Sequence, residues 1–177
     1  MIVDRKSLEH FIKDHYQNIY SFSFALVPEE LQARQMALDA LELFMTKERD
    51  LMNEIVLSNL NDAPDLLSRL TVRYYKNVYE LGVKRFDQLK GGLEIKVDRS
   101  VGSFYALGLN ERAIIYLKMI LKFDLGEIEQ ITEHTRYEIL CILSSSREYL
   151  LRNNKQRSLP SPQFPGNSKN LSRDGDI

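Results

Sequence analysis

Apolar residues in the first half of the chain recur with the period of an α-helix. The first segment runs from Asp4 to about Leu26, and its apolar positions are spaced by three and four residues, which places them on one helix face. They are Leu8, Phe11, Ile12, Tyr16, Ile19 and Phe22. Pro28 separates this helix from the next, because proline disfavours a helical residue before it and suits a first helical turn. Further helices are predicted up to about Met52 and from Pro64 to about Leu89.

A second helical unit is predicted near the C-terminus. Thr135 and Glu138 form a T-x-x-E capping box, which is a start signal for a helix. The two residues before it make a tight turn after another short helix, a pattern typical of a helix-turn-helix. The three helices of this unit are predicted from Glu111 to about Leu121, from Asp124 to Thr132 and from Thr135 to about Leu151.

The whole pattern predicts an all-α protein of two small helical units. Residues 1–90 form the N-terminal unit, 91–102 a linker rich in glycine and charge, and 103–152 the helix-turn-helix unit. Residues 153–177 combine Pro, Gly, Ser and Asn and cannot bury enough apolar surface to fold, so we predict a disordered tail.

Charge and composition narrow the possible functions. The 177 residues carry 24 Lys and Arg against 25 Asp and Glu, so DNA binding would have to rest on local basic surface. No apolar run is long enough for a membrane span and no secretory signal is present, so we expect a soluble, cytoplasmic protein. Cys141 lies in an apolar stretch and is predicted to be a small buried residue. Motifs of phosphate loops, nucleophiles and metal sites are missing from the sequence, and we expect no catalysis, cofactor or metal.

Two stretches of the chain resemble the extracytoplasmic-function sigma factors, the small promoter-recognition subunits of bacterial RNA polymerase. The N-terminal stretch H-Y-Q-N-I-Y-S-F, residues 15–22, is similar to the family's Y-Y-P-R-L-Y-R-F. In the C-terminal unit a set of residues falls into the family's register without a gap. It comprises Leu107, Arg112, Ile114, Leu117, Glu127, Ile128, Ile139, Leu143, Arg147 and Leu150. The resemblance implies three partners: the RNA polymerase core, promoter DNA and an anti-sigma factor.

The third helix interleaves basic and aromatic residues where the family melts and reads the promoter. Cations that hold phosphates beside rings that stack on bases are typical of single-strand binding. The predicted DNA-binding residues on this helix are Arg69, Arg73, Tyr74, Tyr75, Lys76 and Tyr79. The alternative is that Tyr74 and Tyr75 pack on the first helix while the charged residues face solvent.

The predicted recognition helix is unusually apolar. Thr135, Arg136, Tyr137 and Glu138 at its start are the candidate base readers, and Arg147 further along is added to the DNA-binding set. Leu140, Cys141 and Ile142 occupy positions where the family has basic and polar residues. If all three avoid solvent, protein must cover the helix on more than one face. The rest of the fold, a second copy in a homodimer or a regulator are the candidate coverings.

The second helix is predicted to bind the polymerase. It is acidic, and it holds Asp39, Glu42 and Phe44 in the stretch that resembles the family's polymerase-gripping surface. The alternative is a solvated helix face. Three functions follow from the sequence: an alternative sigma factor, a sigma-like adaptor or antagonist that no longer reads DNA, and a helix-turn-helix regulator unrelated to polymerase.

Overall fold

A computed structural model describes residues 5–47, 50–51, 64–89 and 102–157 of the chain. These residues form seven α-helices and no strand, so the all-α prediction is confirmed. The helices are α1 (Arg5–Leu26), α2 (Glu30–Lys47), α3 (Pro64–Leu89), α4 (Gly102–Tyr105), α5 (Leu109–Ile115), α6 (Leu125–Thr132) and α7 (Arg136–Arg157). Most of the predicted linker and residues 158–177 of the predicted tail lie outside the described residues.

Helices α1, α2 and α3 pack together through one apolar face each. Their buried side chains include Phe22 and Leu26 of α1, Phe44 of α2, and Tyr74 of α3. The α2 helix starts where the carboxylate of Glu29 accepts hydrogen bonds from two backbone amides of its first turn, at 3.1 and 2.7 Å. The predicted break at Pro28 is therefore confirmed, and it turns the chain back along α1.

A glycine brings α1 and α3 into close contact. A Cβ atom placed on Gly82 would lie 2.7 Å from Cδ1 and 3.3 Å from Cβ of Leu26, and Leu26 is itself fully buried. Because real Cβ atoms do not approach carbon so closely, the two helices can cross at this point only with a glycine.

The C-terminal helices begin at the predicted caps, with one exception. Asp124 and Glu127 form a reciprocal capping box at the start of α6, and Thr135 and Glu138 form the one before α7. Helix α5 begins after Gly108, two residues earlier than predicted. Helix α7 continues to Arg157, because no glycine or proline interrupts its sequence there. The prediction of a disordered tail from residue 153 is therefore wrong for residues 153–157.

The helix that follows Leu109 widens before it ends. Residues Tyr116–Ile120 form a π-helical turn, and Lys122 then takes a left-handed conformation with φ of 63°. The backbone amide of Phe123 donates to the Leu117 carbonyl at 3.1 Å and closes this turn. The predicted continuous helix to Leu121 is thus two segments, and the wide turn directs Phe123 into the core.

The N-terminal and C-terminal helices share one continuous cluster of buried residues. Helix α1 packs against α5, and α3 packs against α6. Aromatic contacts cross the boundary: the ring of Phe22 lies 5.8 Å from that of Tyr116, and the ring of Tyr75 lies 5.1 Å from that of Phe123. The two predicted units are therefore closed onto each other, and we call them the N-terminal half and the C-terminal half below.

Candidate functional site

Helix α3 carries most of the predicted DNA-binding residues, and it is packed on two sides. One side faces α1 and α2, and the other faces the C-terminal half. What is left is a narrow outer stripe that includes Arg69, Arg73 and Lys84. The six predicted residues of α3 are therefore distributed over three different environments.

Tyr74 lies in the core of the N-terminal half, with 1% of its surface exposed. Its ring stacks on Phe44 at 5.7 Å, and its hydroxyl donates to the carbonyl of Ala37 at 3.1 Å. Burial raises the pKa of this phenol well above its usual value. The prediction that Tyr74 stacks on a base is wrong for this structure, because no part of the ring reaches the surface.

Tyr75, Lys76 and Tyr79 face the C-terminal half. The ring of Tyr75 is buried between aromatic rings of both halves, and the hydroxyl of Tyr79 donates to Oδ1 of Asn110 at 2.9 Å. The ammonium group of Lys76 lies 2.5 Å from the carboxylate of Glu133. The prediction that these rings are open to bases is wrong for the closed structure, and the alternative of core packing is confirmed for Tyr74 and Tyr75.

Electrostatics at this boundary follow from the same contacts. Burial, and to a lesser extent the nearby Glu133 carboxylate, raise the pKa of Tyr79 to about 12. The hydrogen bond from Lys76 and its positive charge hold the pKa of the Glu133 carboxyl below its ordinary value. Near neutral pH both shifts favour the protonation states in which these contacts form, which are a protonated Tyr79 and an ionised Glu133.

The outer stripe of α3 keeps the predicted cations in solvent. Arg69 and Arg73 are exposed and one helical turn apart, and Lys84 lies further along the same side. The half-buried carboxylate of Glu80 interrupts the stripe. Exposed cations in such a row suit contacts with phosphate groups, which bind without reading the base sequence.

The predicted base readers at the start of α7 are all exposed, but two of them are hydrogen-bonded to each other. Arg136 is exposed and Tyr137 is 77% exposed, whereas Thr135 is occupied by its hydrogen bonds to Glu138. Arg147 is also exposed, three helical turns beyond Arg136. These three side chains are exposed, and the hydroxyl of Tyr137 is hydrogen-bonded to Cys141.

Helix α7 buries only one face. Ile139 and Ser146 lie on the buried side, while Cys141 is exposed and Leu140 keeps about half of its surface in solvent. The prediction that Cys141 is buried is therefore wrong, and the condition that Leu140, Cys141 and Ile142 all avoid solvent is not met. The reason is geometric, because residues spaced by seven share a helix face and residues two apart point to nearly opposite sides.

Helix α2 divides its predicted polymerase-binding residues between surface and core. Glu42 is exposed, and Asp39 is half-buried and bonded to the guanidinium of Arg85 and to Gln35. Phe44 is fully buried, so the prediction that it contacts a partner is wrong. The spacing of Phe44 with buried α2 residues such as Ala37 and Ala40 places it on the core face.

Three large apolar residues on the outer face of α2 were not predicted. Leu31, Leu38 and Met45 are 70%, 46% and 40% exposed, and they follow each other at intervals of seven residues. That interval keeps them on one face of the helix, as in the seam of a coiled coil. We call Leu31, Leu38 and Met45 the α2 seam. Its signal in the sequence was the seven-residue spacing itself.

Arg112 joins the two halves from a buried position. Only 1% of it is exposed, and its guanidinium donates to the carbonyls of Leu26, at 2.8 Å, and Tyr105, at 3.2 Å. It also lies over the rings of Phe86 and Tyr105, at 5.4 and 5.7 Å from their centroids. Both of these hydrogen-bond partners are backbone carbonyls, one of them the last of α1.

Other chemistry is not apparent in the parts of the chain that the structure describes. There, no three side chains of His, Cys, Asp or Glu come together as metal ligands, and no helix is long and apolar enough to cross a membrane. No family model matches the chain, and no curated protein matches its sequence. The candidate site is therefore defined by its exposed side chains alone. It consists of the α2 seam, the outer stripe of α3 and the exposed start of α7.

Proposed function

We propose that this chain is a sigma-like protein that binds the RNA polymerase core and directs it to promoters. The observation that carries the proposal is the α2 seam, an exposed row of apolar side chains whose middle member, Leu38, begins the stretch 38–44 that stands where the family has its polymerase-gripping surface. Isolated exposed apolar residues are common, but a row at heptad spacing fits a helical partner.

Charges beside the seam suit a basic partner. Glu42 is exposed next to it, whereas the exposed Glu30 at the start of α2 is paired with Arg34 at 3.2 Å. Acidic groups that flank an apolar row attract a partner of opposite charge and set its register. We therefore assign the polymerase contact to the α2 seam together with Glu42, in place of Phe44.

Promoter DNA would contact the exposed cations. Arg73 on α3 and Arg136 at the start of α7 are exposed cations that suit contacts with phosphates, and the exposed ring of Tyr137 lies beside Arg136. Phosphate contacts of this kind give affinity that falls steeply with salt. In the proposed function they position the protein on DNA once polymerase is bound.

A second candidate function is an adaptor or antagonist that binds polymerase without reading DNA. The burial of Tyr74, Tyr75 and Tyr79 favours it, and so does the exposed apolar face of α7. Such a protein would occupy the polymerase and block or relay the binding of another factor.

A pull-down of bacterial core RNA polymerase tests the proposal. We expect the unmodified chain to bind and Leu38→Asp to weaken binding about tenfold or more, since a charge would be buried in an apolar contact. Leu151→Asp is the matched control, because Leu151 is a similarly exposed leucine, 52%, on the opposite part of the fold. Its binding should equal that of the unmodified chain.

Promoter-opening assays on the same complexes then separate the two candidate functions. Opening by the bound complex supports a sigma factor, and binding without opening supports the adaptor or antagonist. Failure of the unmodified chain to bind polymerase, or equal loss in both leucine variants, would refute the assignment of the α2 seam.

A further inference from the structure

We infer that the C-terminal half masks a latent single-strand-binding face on α3, formed by Tyr75, Lys76 and Tyr79, which becomes available only when the two halves separate. The nature of the ligand rests on the proposed function. The masking itself rests on the contacts between the halves.

The three residues share one side of α3 and meet the C-terminal half with three kinds of contact. Lys76 is paired with Glu133, and Tyr79 is hydrogen-bonded to Asn110. The ring of Tyr75 meets that of Phe123 nearly edge-on, at an interplanar angle of 72°.

Each masking group presents the chemistry that a nucleic acid would present. The carboxylate of Glu133 binds Lys76 as a phosphate would. The ring of Phe123 packs on Tyr75 as a base would, and the amide of Asn110 accepts from Tyr79 as the edge of a base would. A single strand would require the same three types of partner. The C-terminal half and a single strand would therefore compete for the same side chains.

Tyr74 is not part of this latent face. Its hydroxyl and ring are held by Ala37 and Phe44 of α2, within the N-terminal half. Separation of the halves leaves these contacts intact. Tyr74 is thus a permanent core residue, whereas Tyr75, Lys76 and Tyr79 are masked by the C-terminal half.

The contacts at the edge of this boundary are individually weak. Glu133 is exposed, and an exposed ion pair contributes little because water and salt screen it. Loss of such contacts raises the fraction of open molecules, and the apparent affinity for a ligand of the open form rises by the same factor. Variants at the edge should therefore bind a single strand more tightly than the unmodified chain.

The test measures fluorescence anisotropy of a labelled single-stranded DNA of mixed sequence at low salt. We expect the double variant Glu133→Gln with Asn110→Ala to bind about tenfold more tightly than the unmodified chain. Glu129→Gln is the matched control, because it removes the same charge one turn before Glu133, within α6, and Glu129 has no ion pair or side-chain hydrogen bond among the described residues. Adding Lys76→Ala to the double variant should abolish the gain.

A reversible cross-link gives the opposite perturbation. The hydroxyl of Ser68 lies 3.1 Å from the carboxylate of Glu127 across the boundary. Cysteines at these two positions, in a Cys141→Ser background, can be joined by a reducible bifunctional maleimide. Joined molecules should lose single-strand binding, and reduction should restore it, while the same chain with each cysteine capped singly should bind at least as tightly as the unmodified chain.

Equal DNA binding by the double variant and Glu129→Gln would overturn the inference, and so would full binding by the cross-linked chain or no binding by any form. The polymerase pull-down addresses the α2 seam separately. A chain that binds polymerase but shows none of these DNA effects leaves the proposed polymerase contact standing and removes the latent face.

Discussion

Replacement of Arg112 by alanine should be among the most destabilising single changes in the described part of the chain. The guanidinium satisfies the last carbonyl of α1, at Leu26, and a second carbonyl at Tyr105. Burial lowers the pKa of Arg112, but arginine remains a cation at neutral pH, and a cation at a helix C-terminus is favourable. Alanine would remove both hydrogen bonds and leave a cavity beneath the ring of Phe86.

The magnitude follows from those two losses. A buried carbonyl without its donor costs about 1 to 3 kcal/mol, and truncation of a large buried side chain adds about 2 kcal/mol or more. Relief from burying the charge offsets part of this sum. We therefore expect Arg112→Ala to lower the free energy of unfolding by about 3 to 5 kcal/mol. Arg112→Met keeps most of the packing and should lose about 1 to 3 kcal/mol.

Urea unfolding followed by circular dichroism measures these differences from the midpoints at unchanged slope. Arg73→Ala is the control, because Arg73 is exposed on the outer stripe of α3, and its change should stay within about 0.5 kcal/mol. If Arg112→Ala falls in the same range as Arg73→Ala, the guanidinium does not hold the halves together and the reasoning is refuted.

Three further predictions concern packing and pH. Gly82→Ala should lower the unfolding midpoint. The new contact with Leu26 costs about 1 to 3 kcal/mol, whereas the higher helix propensity of alanine contributes up to about 1 kcal/mol. An unchanged or higher midpoint would contradict the close approach of the two helices. Tyr74→Phe should lose about 1 kcal/mol, from the hydrogen bond to Ala37, and a variant as stable as the unmodified chain would argue against that bond. Since the folded pKa of Tyr79 is raised from 10.0 to about 12, its contribution to stability should be complete below pH 10.0 and lost as pH rises toward 12. Urea midpoints measured from pH 8 to 11 check this sign, and Tyr79→Phe should weaken the alkaline decline.

Local signals in the sequence predicted the helices well. The capping boxes at Asp124 and Thr135 depend only on residues three apart, and both are present in the structure. The π-helical turn and the early start at Gly108 were missed, because neither depends on a strong local signal.

Burial on α3 was harder to predict, because it is set by contacts with distant parts of the chain. One apolar series on α3 includes Tyr74 and Val78 and faces the N-terminal half. A second series includes Tyr75 and Tyr79 and faces the C-terminal half, and the pattern of a single amphipathic helix does not anticipate two packed faces. A basic and aromatic sequence was therefore interpreted as exposed although its rings are in the core.

The candidate site was predicted in part. Exposure of Glu42, Arg136 and Tyr137 agrees with their expected accessibility, whereas the burial of Phe44 does not. The periodicity of α2 indicates both the burial of Phe44 and the exposure of Leu38, because Phe44 is on the core face and Leu38 is on the opposite face. Resemblance to a family indicated a stretch of helix, and only the packing identified which side of that stretch is exposed.

The link between Leu26 and Arg112 has a consequence for the order in which the chain is made. The two residues are 86 positions apart. At a synthesis rate of about 5 to 20 residues per second, the end of α1 waits roughly 4 to 17 s on the ribosome for its donor. In the last part of that interval, after α3 is complete at Leu89 and before Phe123 is made, the aromatic side of α3 has no C-terminal half to cover it. The N-terminal half must therefore remain free of aggregation as a nascent segment, and mutations that weaken its own three-helix packing should reduce yield in cells more than they reduce the stability of the finished protein.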